Sequence, residues 1–262
     1  MKVLTPGTHL TTFFRTLTEA PQSALMLDYD GTLAPFTVKR DEAAPYPGIR
    51  ERLRRLLELQ NTRVVLISGR AIADLVPLLD LHPAPEIWGS HGWERLSAQG
   101  EYIPPTLDDV MKEGLRKAEE AGRHIVDTSY QERKPVSLAL HWRGRPGATR
   151  KKIRSSVLPL WTSIASSSGL EVHEFDGGVE LRATGRTKGH AVETILTELP
   201  AGSVTAVLGD DATDEDAFRA LGSRGLRVLV RGEQRPTHAD LLITPPEELL
   251  FFLDQWIAHV PV

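Results

Sequence analysis

Two carboxylates stand one residue apart directly after a short apolar run, in Ala24-Leu25-Met26-Leu27-Asp28-Tyr29-Asp30-Gly31-Thr32-Leu33. Such a run, ended by turn residues, predicts a buried strand of a parallel sheet. Ligands of these sheets bind at the carboxyl ends of the strands, and a change of direction at Gly31 would let both carboxylates face one pocket. Neighbouring carboxylates repel each other unless a cation holds them, so the pair indicates bound Mg²⁺. The alternative is an Asp-rich turn that merely follows a strand.

Three further segments place polar groups at the end of a predicted strand or the start of a predicted helix: Ser68-Gly69-Arg70, Lys188-Gly189, and the run that contains Asp210, Asp211 and Asp214. Taken singly, these are a turn, a surface lysine and the acidic first turn of a helix. Because the carboxyl ends of parallel strands lie at one edge of a sheet, we expect the segments to converge. Together they suit phosphoryl transfer, with a carboxylate nucleophile, a hydroxyl and a lysine that balance phosphate charge, and Mg²⁺ on the carboxylates. Asp30 is placed to protonate a leaving oxygen and then to deprotonate water.

The elements that must position these groups alternate between apolar runs and amphipathic stretches. This alternation predicts an α/β fold with a doubly wound parallel sheet. One predicted strand ends at Asp28, and three others begin at Arg63, Glu86 and Val204. Two more lie at Leu226–Val230 and Leu241–Ile243. The predicted helices lie at His9–Glu19, Gly48–Gln60, Ile72–Leu79, Asp214–Leu221 and Pro245–His259, and a further helix is opened by Gly185-Arg186-Thr187-Lys188-Gly189 and runs to Leu199.

The pattern changes between about residue 105 and residue 182. A predicted helix at Thr106–Arg123 is followed by two predicted strands, at His124–Tyr130 and Val136–Trp142. A second predicted helix at Gly147–Ser168 is followed by strands at Leu170–Phe175 and Gly178–Arg182, with a turn at Asp176-Gly177-Gly178. This order is typical of an α+β domain with antiparallel pairs. We therefore predict a Rossmann-like core from residues 1–104 and 183–262. An inserted α+β cap domain at 105–182 would cover the active edge and recognise the substrate.

The composition is ordinary for a soluble globular protein, with 40% hydrophobic and 25% charged residues and a net charge of −4. That charge offers no basic face for nucleic acid, and the absence of cysteine excludes disulfides, a thiolate nucleophile and a zinc–thiolate site. No apolar run approaches the length of a membrane span, and residues 1–20 lack the apolar centre of a signal peptide. We expect a cytoplasmic monomer that binds a small-molecule substrate and neither nucleic acid nor a membrane.

The motifs resemble those of haloacid-dehalogenase-type phosphatases in four places: Asp28-Tyr29-Asp30-Gly31-Thr32-Leu33, Ser68-Gly69-Arg70, Lys188-Gly189 and Gly209-Asp210-Asp211-Ala212-Thr213-Asp214-Glu215-Asp216. The fuller pattern is similar to trehalose-6-phosphate phosphatases through Gly89-Ser90-His91-Gly92, Leu140-His141-Trp142-Arg143 and Val179-Glu180-Leu181-Arg182. The resemblance extends from about residue 20 to residue 230. It departs from the family at Ala183, where proline is commoner, and this departure concerns the hinge between the domains rather than the chemistry.

The resemblance implies a Mg²⁺-dependent phosphatase that converts trehalose 6-phosphate to trehalose and phosphate through an aspartyl-phosphate. Asp28 would be the nucleophile and Asp30 the general acid and base, while Ser68, Gly69 and Lys188 would hold the phosphate. The resemblance assigns Mg²⁺ to Asp28, Asp30 through its carbonyl, Asp210 and Asp214. It assigns substrate contacts to Arg70, His91, Gly92, Glu132, Lys134 and Glu180.

Other functions use the same residues differently. A phosphatase for another sugar phosphate, such as sucrose or mannosylglycerate phosphate, changes only the substrate. A phosphomutase returns the phosphoryl group to the sugar and releases no free phosphate. A non-catalytic sugar-phosphate sensor has no need of both Asp28 and Asp30. No synthase-like domain accompanies the chain, so we do not expect a bifunctional enzyme.

Several aromatic residues are expected to be structural. His141, His173 and His190 lack metal-ligand spacing, and we interpret them as structural histidines, whereas His91 in the Gly-Ser-His-Gly turn is a candidate for contact with substrate. Trp142 and Trp161 are expected in the core of the inserted domain.

Overall fold

The computed structural model describes residues 1–37, 39–175 and 177–261, and the side chain of residue 40 is outside that description. The chain divides into two compact units. The first unit combines Met1–Pro104 with Thr187–Val262, and the second unit is the continuous segment Pro105–Arg186. Within the described ranges, no helix has both the length and the apolar character needed to cross a membrane.

The strands are β1 (Lys2–Val3), β2 (Ser23–Leu27), β3 (Thr62–Ile67), β4 (Glu86–Gly89), β5 (Glu94–Leu96), β6 (Tyr102–Ile103), β7 (Gln131–Arg133), β8 (Ser137–His141), β9 (Leu170–Phe175), β10 (Gly178–Ala183), β11 (Val204–Gly209), β12 (Leu226–Val230) and β13 (Leu241–Ile243). The α-helices are α1 (Leu10–Leu17), α2 (Ile49–Glu58), α3 (Ile72–Leu79), α4 (Asp109–Arg123), α5 (Gly147–Ser168), α6 (Lys188–Glu198), α7 (Asp214–Leu221) and α8 (Glu247–His259).

A nine-stranded sheet forms the centre of the first unit, in the order β1-β13-β12-β11-β2-β3-β4-β5-β6. All neighbouring pairs from β13 to β4 are parallel. The outer pairs β1–β13, β4–β5 and β5–β6 are antiparallel. The strand order runs outward in both directions from the central pair β11–β2, which confirms the predicted doubly wound parallel sheet.

Strand β2 is buried on both faces because its side chains alternate between two apolar layers. Leu25 and Leu27 belong to the core that packs on α1, α2, α3 and α8. Ala24 and Met26 belong to the core that packs on α6 and α7. This strand therefore lies between helical layers on both sides, and the chain after Leu27 can leave the sheet only at its carboxyl edge.

The second unit is an α+β domain with a four-stranded antiparallel sheet in the order β7-β8-β10-β9. One face of this sheet packs on helices α4 and α5, and the apolar residues that form this contact are fully buried: Leu138, Leu140, Val179 and Leu181. The indole of Trp161 is buried in the same core and donates to Ala118 O at 3.2 Å. The expectation that Trp161 and Trp142 are core residues is correct.

The second unit extends further than predicted. Its last residue is Arg186 rather than Arg182. Strand β10 continues to Ala183, whose amide donates to Val136 O at 2.9 Å, and the Thr184 hydroxyl donates to Gly169 O at 2.8 Å. These hydrogen bonds bind the residues after Arg182 to the second unit.

One predicted strand is wrong. His124–Tyr130 does not form a strand, since Asp127 Oδ1 accepts from Ser129 N at 2.9 Å and starts a 3-10 turn at Thr128–Tyr130. Side-chain capping of this kind competes with a strand ladder, and β7 begins only at Gln131. The predicted hairpin residue Asp176 lies outside the described residues, although β9 and β10 pair with Phe175 opposite Gly178.

Candidate active site

Three neighbouring strands bring polar groups to one edge of the first unit's sheet. Leu208, Leu27 and Leu66 are paired across β11, β2 and β3. Asp210, Asp28 and Ser68 follow these leucines within two residues, so they leave the sheet at the same edge. The predicted arrangement of strand ends is therefore present in the fold.

The chain turns sharply after β2 at Gly31, whose φ is +85°. A Cβ at this position would lie 2.3 Å from Asp210 Oδ2, so both the backbone conformation and the space require glycine. Gly31 N donates to Ala34 O at 2.7 Å and closes the turn. The Tyr29 hydroxyl donates to Ala43 O at 2.5 Å and fixes the base of the turn. The backbone after Asp28 is thereby held against Asp210.

Asp28, Asp210 and Asp214 form an acidic cluster with one carboxylate oxygen from each residue within 4.8 Å of the others. All three residues are buried, at 5%, 3% and 1% exposure. Asp214 Oδ2 accepts from the amides of Asp210 at 3.0 Å and Asp211 at 3.1 Å. Asp214 thus also fixes the backbone of the turn that carries Asp210.

Lys188 joins the acidic cluster from the first turn of α6. Its Nζ donates to Asp28 Oδ1 at 2.6 Å and to Asp214 Oδ1 at 2.7 Å. The residue before it, Thr187, approaches the Gly-Ser-His-Gly turn, because a Cβ on Gly92 would lie 2.9 Å from Thr187 O. Lys188 and Gly92 are therefore brought to the same neighbourhood although they are distant in sequence.

Burial dominates the electrostatics of the acidic cluster. It raises the pKa of Asp28, against the opposing effect of Lys188. Burial and then the Asp28 carboxylate raise the pKa of Asp210 to about 9. Burial also raises the pKa of Asp214 to about 7, although Lys188 opposes this. The ammonium of Lys188 stays protonated, since Asp214 and Asp28 raise its pKa despite burial.

The residues of the acidic cluster fit a divalent cation. Asp210 Oδ1 is buried and, among the described residues, has no hydrogen-bond partner. A buried polar atom without a partner costs free energy, and a cation would satisfy it. Mg²⁺ prefers oxygen ligands and is bound through a few carboxylates together with water, which suits Asp28, Asp210 and Asp214. Burial raises the pKa of Asp210 and of Asp214, so their ionised forms, which bind metal, are unfavourable in this cluster until a cation is present.

The Asp30 carboxylate makes a two-point ion pair with Arg70. Arg70 Nε donates to Asp30 Oδ2 and Nη2 to Oδ1, both at 2.6 Å. Arg70 is 4% exposed, and its guanidinium lies 5.7 Å from the centre of the Tyr29 ring. Sequence reasoning expects Arg70 to contact substrate, and the structure places its guanidinium on the candidate general acid. The assignment of the Asp30 carbonyl to Mg²⁺ stays a prediction.

The segment Ser68–Arg70 is joined to the Ser90–Gly92 turn by backbone hydrogen bonds. His91 N donates to Ser68 O at 2.9 Å, and Ser90 N donates to Arg70 O at 2.7 Å. The Ser68 hydroxyl accepts from Arg70 N at 3.1 Å. The imidazole of His91 lies against Gly69, where a Cβ would be only 2.6 Å from the ring. This contact brings His91 to the candidate phosphate-binding residues.

In the second unit, Glu132 and Glu180 flank the small residue Ala139 on one face of the sheet. Ala139 is the paired residue of Glu132 on β7 and of Glu180 on β10. Residues directly opposite each other in antiparallel strands point to the same face. This face therefore carries two carboxylates on either side of a side chain that occupies little space.

Polar contacts fix both carboxylates. Glu180 Oε1 accepts from Lys134 Nζ at 2.9 Å and from the Ser137 hydroxyl at 2.7 Å. Lys134 Nζ also lies 4.0 Å from Glu132 Oε1. His141 Nε2 is 2.9 Å from Glu132 Oε2. We call Glu132, Lys134 and Glu180, the three predicted substrate residues of this unit, the second-unit polar cluster.

The other histidines have structural contacts, as predicted. His190 Nδ1 accepts from Thr187 N at 3.2 Å and completes a capping box at the start of α6. His173 Nε2 lies 2.8 Å from Glu171 Oε1 on the same strand.

Two supporting groups are not singled out by sequence reasoning. Ser90 Oγ is hydrogen-bonded to the buried Glu94, whose other oxygen accepts from the Tyr102 hydroxyl at 3.0 Å. Glu215 is held by Arg235 from a segment 20 residues further along the chain. Glu94 lies two residues after the Gly89-Ser90-His91-Gly92 motif, and Glu215 lies within the acidic motif Gly209–Asp216. These positions could have indicated that both residues support the site. Arg235 stands in no motif.

Comparison with known proteins gives a consistent family match. The family model described as Trehalose-phosphatase matches residues 26–242. A trehalose-phosphate phosphatase of Mycobacterium marinum is 29% identical over 248 residues, which cover 88% of this chain and 60% of that protein. A bifunctional trehalose-6-phosphate synthase/phosphatase of Thermoproteus tenax is 31% identical over 213 residues, which cover 81% of this chain and 29% of that protein. The chain thus spans less than two thirds of these relatives.

Solved structures share the fold. The C-terminal domain of a C. albicans trehalose-6-phosphate phosphatase has a TM-score of 0.77 at 22% identity and covers 98% of this chain and 99% of its own. An Aspergillus fumigatus trehalose-6-phosphate phosphatase has a TM-score of 0.68 at 24% identity and covers 97% of this chain and 99% of its own.

Proposed function

Because the chain belongs to the trehalose-phosphatase family, we propose that it hydrolyses trehalose 6-phosphate to trehalose and inorganic phosphate. The observation that carries this proposal is the buried acidic cluster around Lys188. It combines a candidate nucleophile, a candidate cation site and a positive partner for phosphate at the carboxyl edge of a doubly wound sheet, where such folds bind ligands.

Asp28 is the nucleophile in this proposal. A carboxylate oxygen of Asp28 attacks phosphorus, the bond to the sugar oxygen breaks, and an aspartyl-phosphate forms. Attack requires the ionised carboxylate, and burial disfavours that form. The ammonium of Lys188, 2.6 Å from Asp28 Oδ1, favours ionisation and can then stabilise the oxygens of the phosphoryl group.

Asp30 is the general acid and base. It gives a proton to the departing sugar oxygen, then takes a proton from the water that attacks the aspartyl-phosphate, and this second attack releases phosphate and restores Asp28. The ion pair with Arg70 fixes the direction of the carboxylate. One of its two hydrogen bonds must open for Asp30 to hold the transferred proton.

The phosphate is held by Ser68, Gly69 and Lys188, with His91 and Gly92 beside them. The contact of His91 with Gly69 and the approach of Gly92 to Thr187 support this grouping. When bound by Asp28, Asp210, Asp214 and the Asp30 carbonyl, Mg²⁺ would neutralise negative charge on the phosphoryl oxygens. The chain's own residues orient the phosphate and hold the proton.

The sugar is recognised by the second-unit polar cluster. Its two carboxylates can accept hydrogen bonds from neighbouring sugar hydroxyls, and Lys134 can donate to a hydroxyl oxygen. The fixed orientation of Glu180 by Lys134 and Ser137 supports this role, because pre-positioned polar groups give specificity. The core site binds any phosphate monoester, so discrimination among sugars needs such a group elsewhere.

The experiment that tests the proposed function measures free phosphate released from a panel of sugar phosphates, with and without Mg²⁺. We expect trehalose 6-phosphate to have the highest kcat/KM and turnover to require the metal. A higher kcat/KM for sucrose or mannosylglycerate phosphate would replace the substrate. Transfer of the phosphoryl group without free phosphate would replace hydrolysis by a mutase reaction.

A further inference from the structure

The segment after β12 folds back on the turn that follows β11 and carries Asp210 and Asp211. We call residues 231–238 the return segment. Glu215 anchors it, because Glu215 Oε2 accepts from His238 N and lies beside His238 Nδ1, both at 2.8 Å. Glu215 Oε1 accepts from the Thr237 hydroxyl at 2.8 Å and pairs with Arg235. Three residues of the return segment are thus fixed on one carboxylate.

Arg235 carries this anchoring to the acidic turn. Its Nη2 donates to Asp211 O, and its Nε donates to Asp210 O at 3.3 Å. Arg231 Nη1 donates to the same Asp210 carbonyl at 3.3 Å. Since Arg235 Nη1 is bound to Glu215, the guanidinium cannot turn away from the two carbonyls without breaking that pair.

The backbone of Asp210 and Asp211 is consequently held from both sides. Their amides donate to Asp214 Oδ2, and their carbonyls accept from Arg235. With the peptide planes fixed, the direction of the Asp210 Cα–Cβ bond is fixed as well, and this limits where the carboxylate with its buried Oδ1 can lie. Groups that orient a metal ligand commonly change metal affinity by about 10- to 100-fold when removed.

We propose that Arg235 is a positioning residue for the cation site. It touches neither the cation nor the substrate, and it acts through the backbone carbonyls of Asp210 and Asp211. The inference rests on the proposed function only in requiring that the acidic cluster binds Mg²⁺. A purely structural Arg235 would contribute to the stability of the fold and leave metal affinity unchanged.

Arg227 provides a matched control. It lies on β12 and is exposed to nearly the same extent as Arg235 (20% and 19% of the side chain). It makes a two-point pair with the buried Asp240, whereas Arg235 contacts Glu215 through Nη1 alone. Its side-chain hydrogen bonds go to Asp240 rather than to the acidic turn. Loss of Arg227 therefore removes a similar ion pair without loosening Asp210.

The test is isothermal titration of Mg²⁺ alone into the metal-free full chain, with far-ultraviolet circular dichroism of each variant. We expect Arg235→Ala to bind Mg²⁺ about tenfold more weakly than wild type or worse. Arg227→Ala should keep wild-type affinity. Arg235→Lys retains the charge but lacks the planar fork that reaches Glu215 and both carbonyls at once, so it should bind with intermediate affinity. At saturating Mg²⁺ the kcat of Arg235→Lys should return towards the wild-type value.

Each outcome is decisive. Equal Mg²⁺ affinity in Arg235→Ala and wild type overturns the role of Arg235, as does an equal loss in Arg227→Ala. If Arg235→Ala does not fold, the comparison of Arg235→Lys with wild type decides by the same criterion. Failure of wild type itself to bind Mg²⁺ overturns the cation site, and with it the inference. Binding by wild type without phosphatase activity contradicts the proposed function alone.

Discussion

At the residue scale, the acidic cluster is costly to the fold without a cation. Three buried carboxylates share one ammonium, and Asp210 Oδ1 has no partner among the described residues. Like charges brought together away from water destabilise the ionised state. Sites of this kind trade stability for function, and a neutral replacement often stabilises the protein.

This cost predicts the effect of Asp210→Asn on stability. In the presence of a chelator, we expect the variant to have a higher free energy of unfolding than wild type, by about 1–3 kcal/mol. Burial raises the pKa of Asp210 to about 9, so wild type must take up a proton on folding at neutral pH, whereas the amide is neutral without that cost and can donate to Asp28. Urea unfolding measures the difference. In Mg²⁺ the order should reverse, since only wild type gains the full binding free energy. A variant that is less stable than wild type in chelator would contradict this account.

A second prediction concerns Asp28→Asn. The amide cannot attack phosphorus, so phosphate release should be abolished while the circular dichroism spectrum stays that of wild type. Lys188 keeps its contact with Asp214 in this variant, which protects the local fold. Beryllofluoride, a mimic of the aspartyl-phosphate, should bind only wild type in titrations. Turnover within about tenfold of wild type would exclude Asp28 as the nucleophile.

At the scale of elements, the sequence predicts what depends on local pattern. The predicted bounds are correct to the residue for six elements: α3, α5, α7, β9, β12 and β13. The strands that precede Asp28, Ser68 and Asp210 are predicted to within one residue at their ends, because apolar runs end where the chain leaves a buried sheet. The short strands β1, β5 and β6 are missed, since two or three residues carry no readable alternation.

Contacts between distant elements could not be predicted from pattern. The pair of Arg70 with Asp30 and that of Arg235 with Glu215 join residues from separate elements, and neither spacing nor periodicity marks them. Arginines on the surface are common, so only the tertiary packing distinguishes these two. The same limit applies to Glu180, whose orientation depends on Lys134 and Ser137.

The link between β12 and β13 predicts a pH dependence of stability. Burial of Asp240 raises the pKa of its carboxyl, but the hydrogen bonds from Arg227 outweigh this effect. The net result is a pKa below the usual 3.8. A carboxyl with a lowered pKa stabilises the fold fully above its unfolded pKa, and this contribution is lost as the pH falls through the lower folded pKa.

Asp240→Asn should therefore lower the free energy of unfolding by about 1.5–3 kcal/mol at neutral pH. The difference from wild type should shrink at pH values below 3.8, where wild type also becomes protonated. Urea unfolding of both proteins across this range measures it. A difference that is independent of pH would show that the charge of Asp240 is not involved.

At the scale of the whole molecule, the proposal that the second unit recognises the sugar can be tested with one variant. Glu180→Ala should reduce kcat/KM for trehalose 6-phosphate about 10- to 100-fold, the cost of one charged hydrogen bond to substrate. Hydrolysis of p-nitrophenyl phosphate, which has no sugar, should be unchanged. Arg182→Ala on the same strand, whose guanidinium donates to Glu171, is the control and should affect neither substrate.

Equal losses on both substrates would place Glu180 in the chemistry or the fold. If the rate on neither substrate fell, sugar recognition would belong to other residues.

The second unit should also fold by itself. Its sequence is continuous, and Trp161 is buried in its own core between α4 and α5. The isolated segment Pro105–Arg186 should unfold in one cooperative transition, followed by tryptophan fluorescence. Trp161→Ala should destabilise this segment by about 3–5 kcal/mol. A gradual, non-cooperative signal from the unmutated segment would contradict its independence.

The pairing of β2 with β11 has a consequence for biosynthesis. Asp28 leaves the ribosome before the whole second unit, whereas Lys188, Asp210 and Asp214 leave after it. Until β11 emerges, β2 has an unpaired apolar edge on one side, which is where nascent chains associate wrongly and where chaperones bind. The candidate active site is therefore completed only after the second unit has been synthesised, and a chain whose synthesis stops at Gly209 carries Asp28 and Lys188 without Asp210 and Asp214.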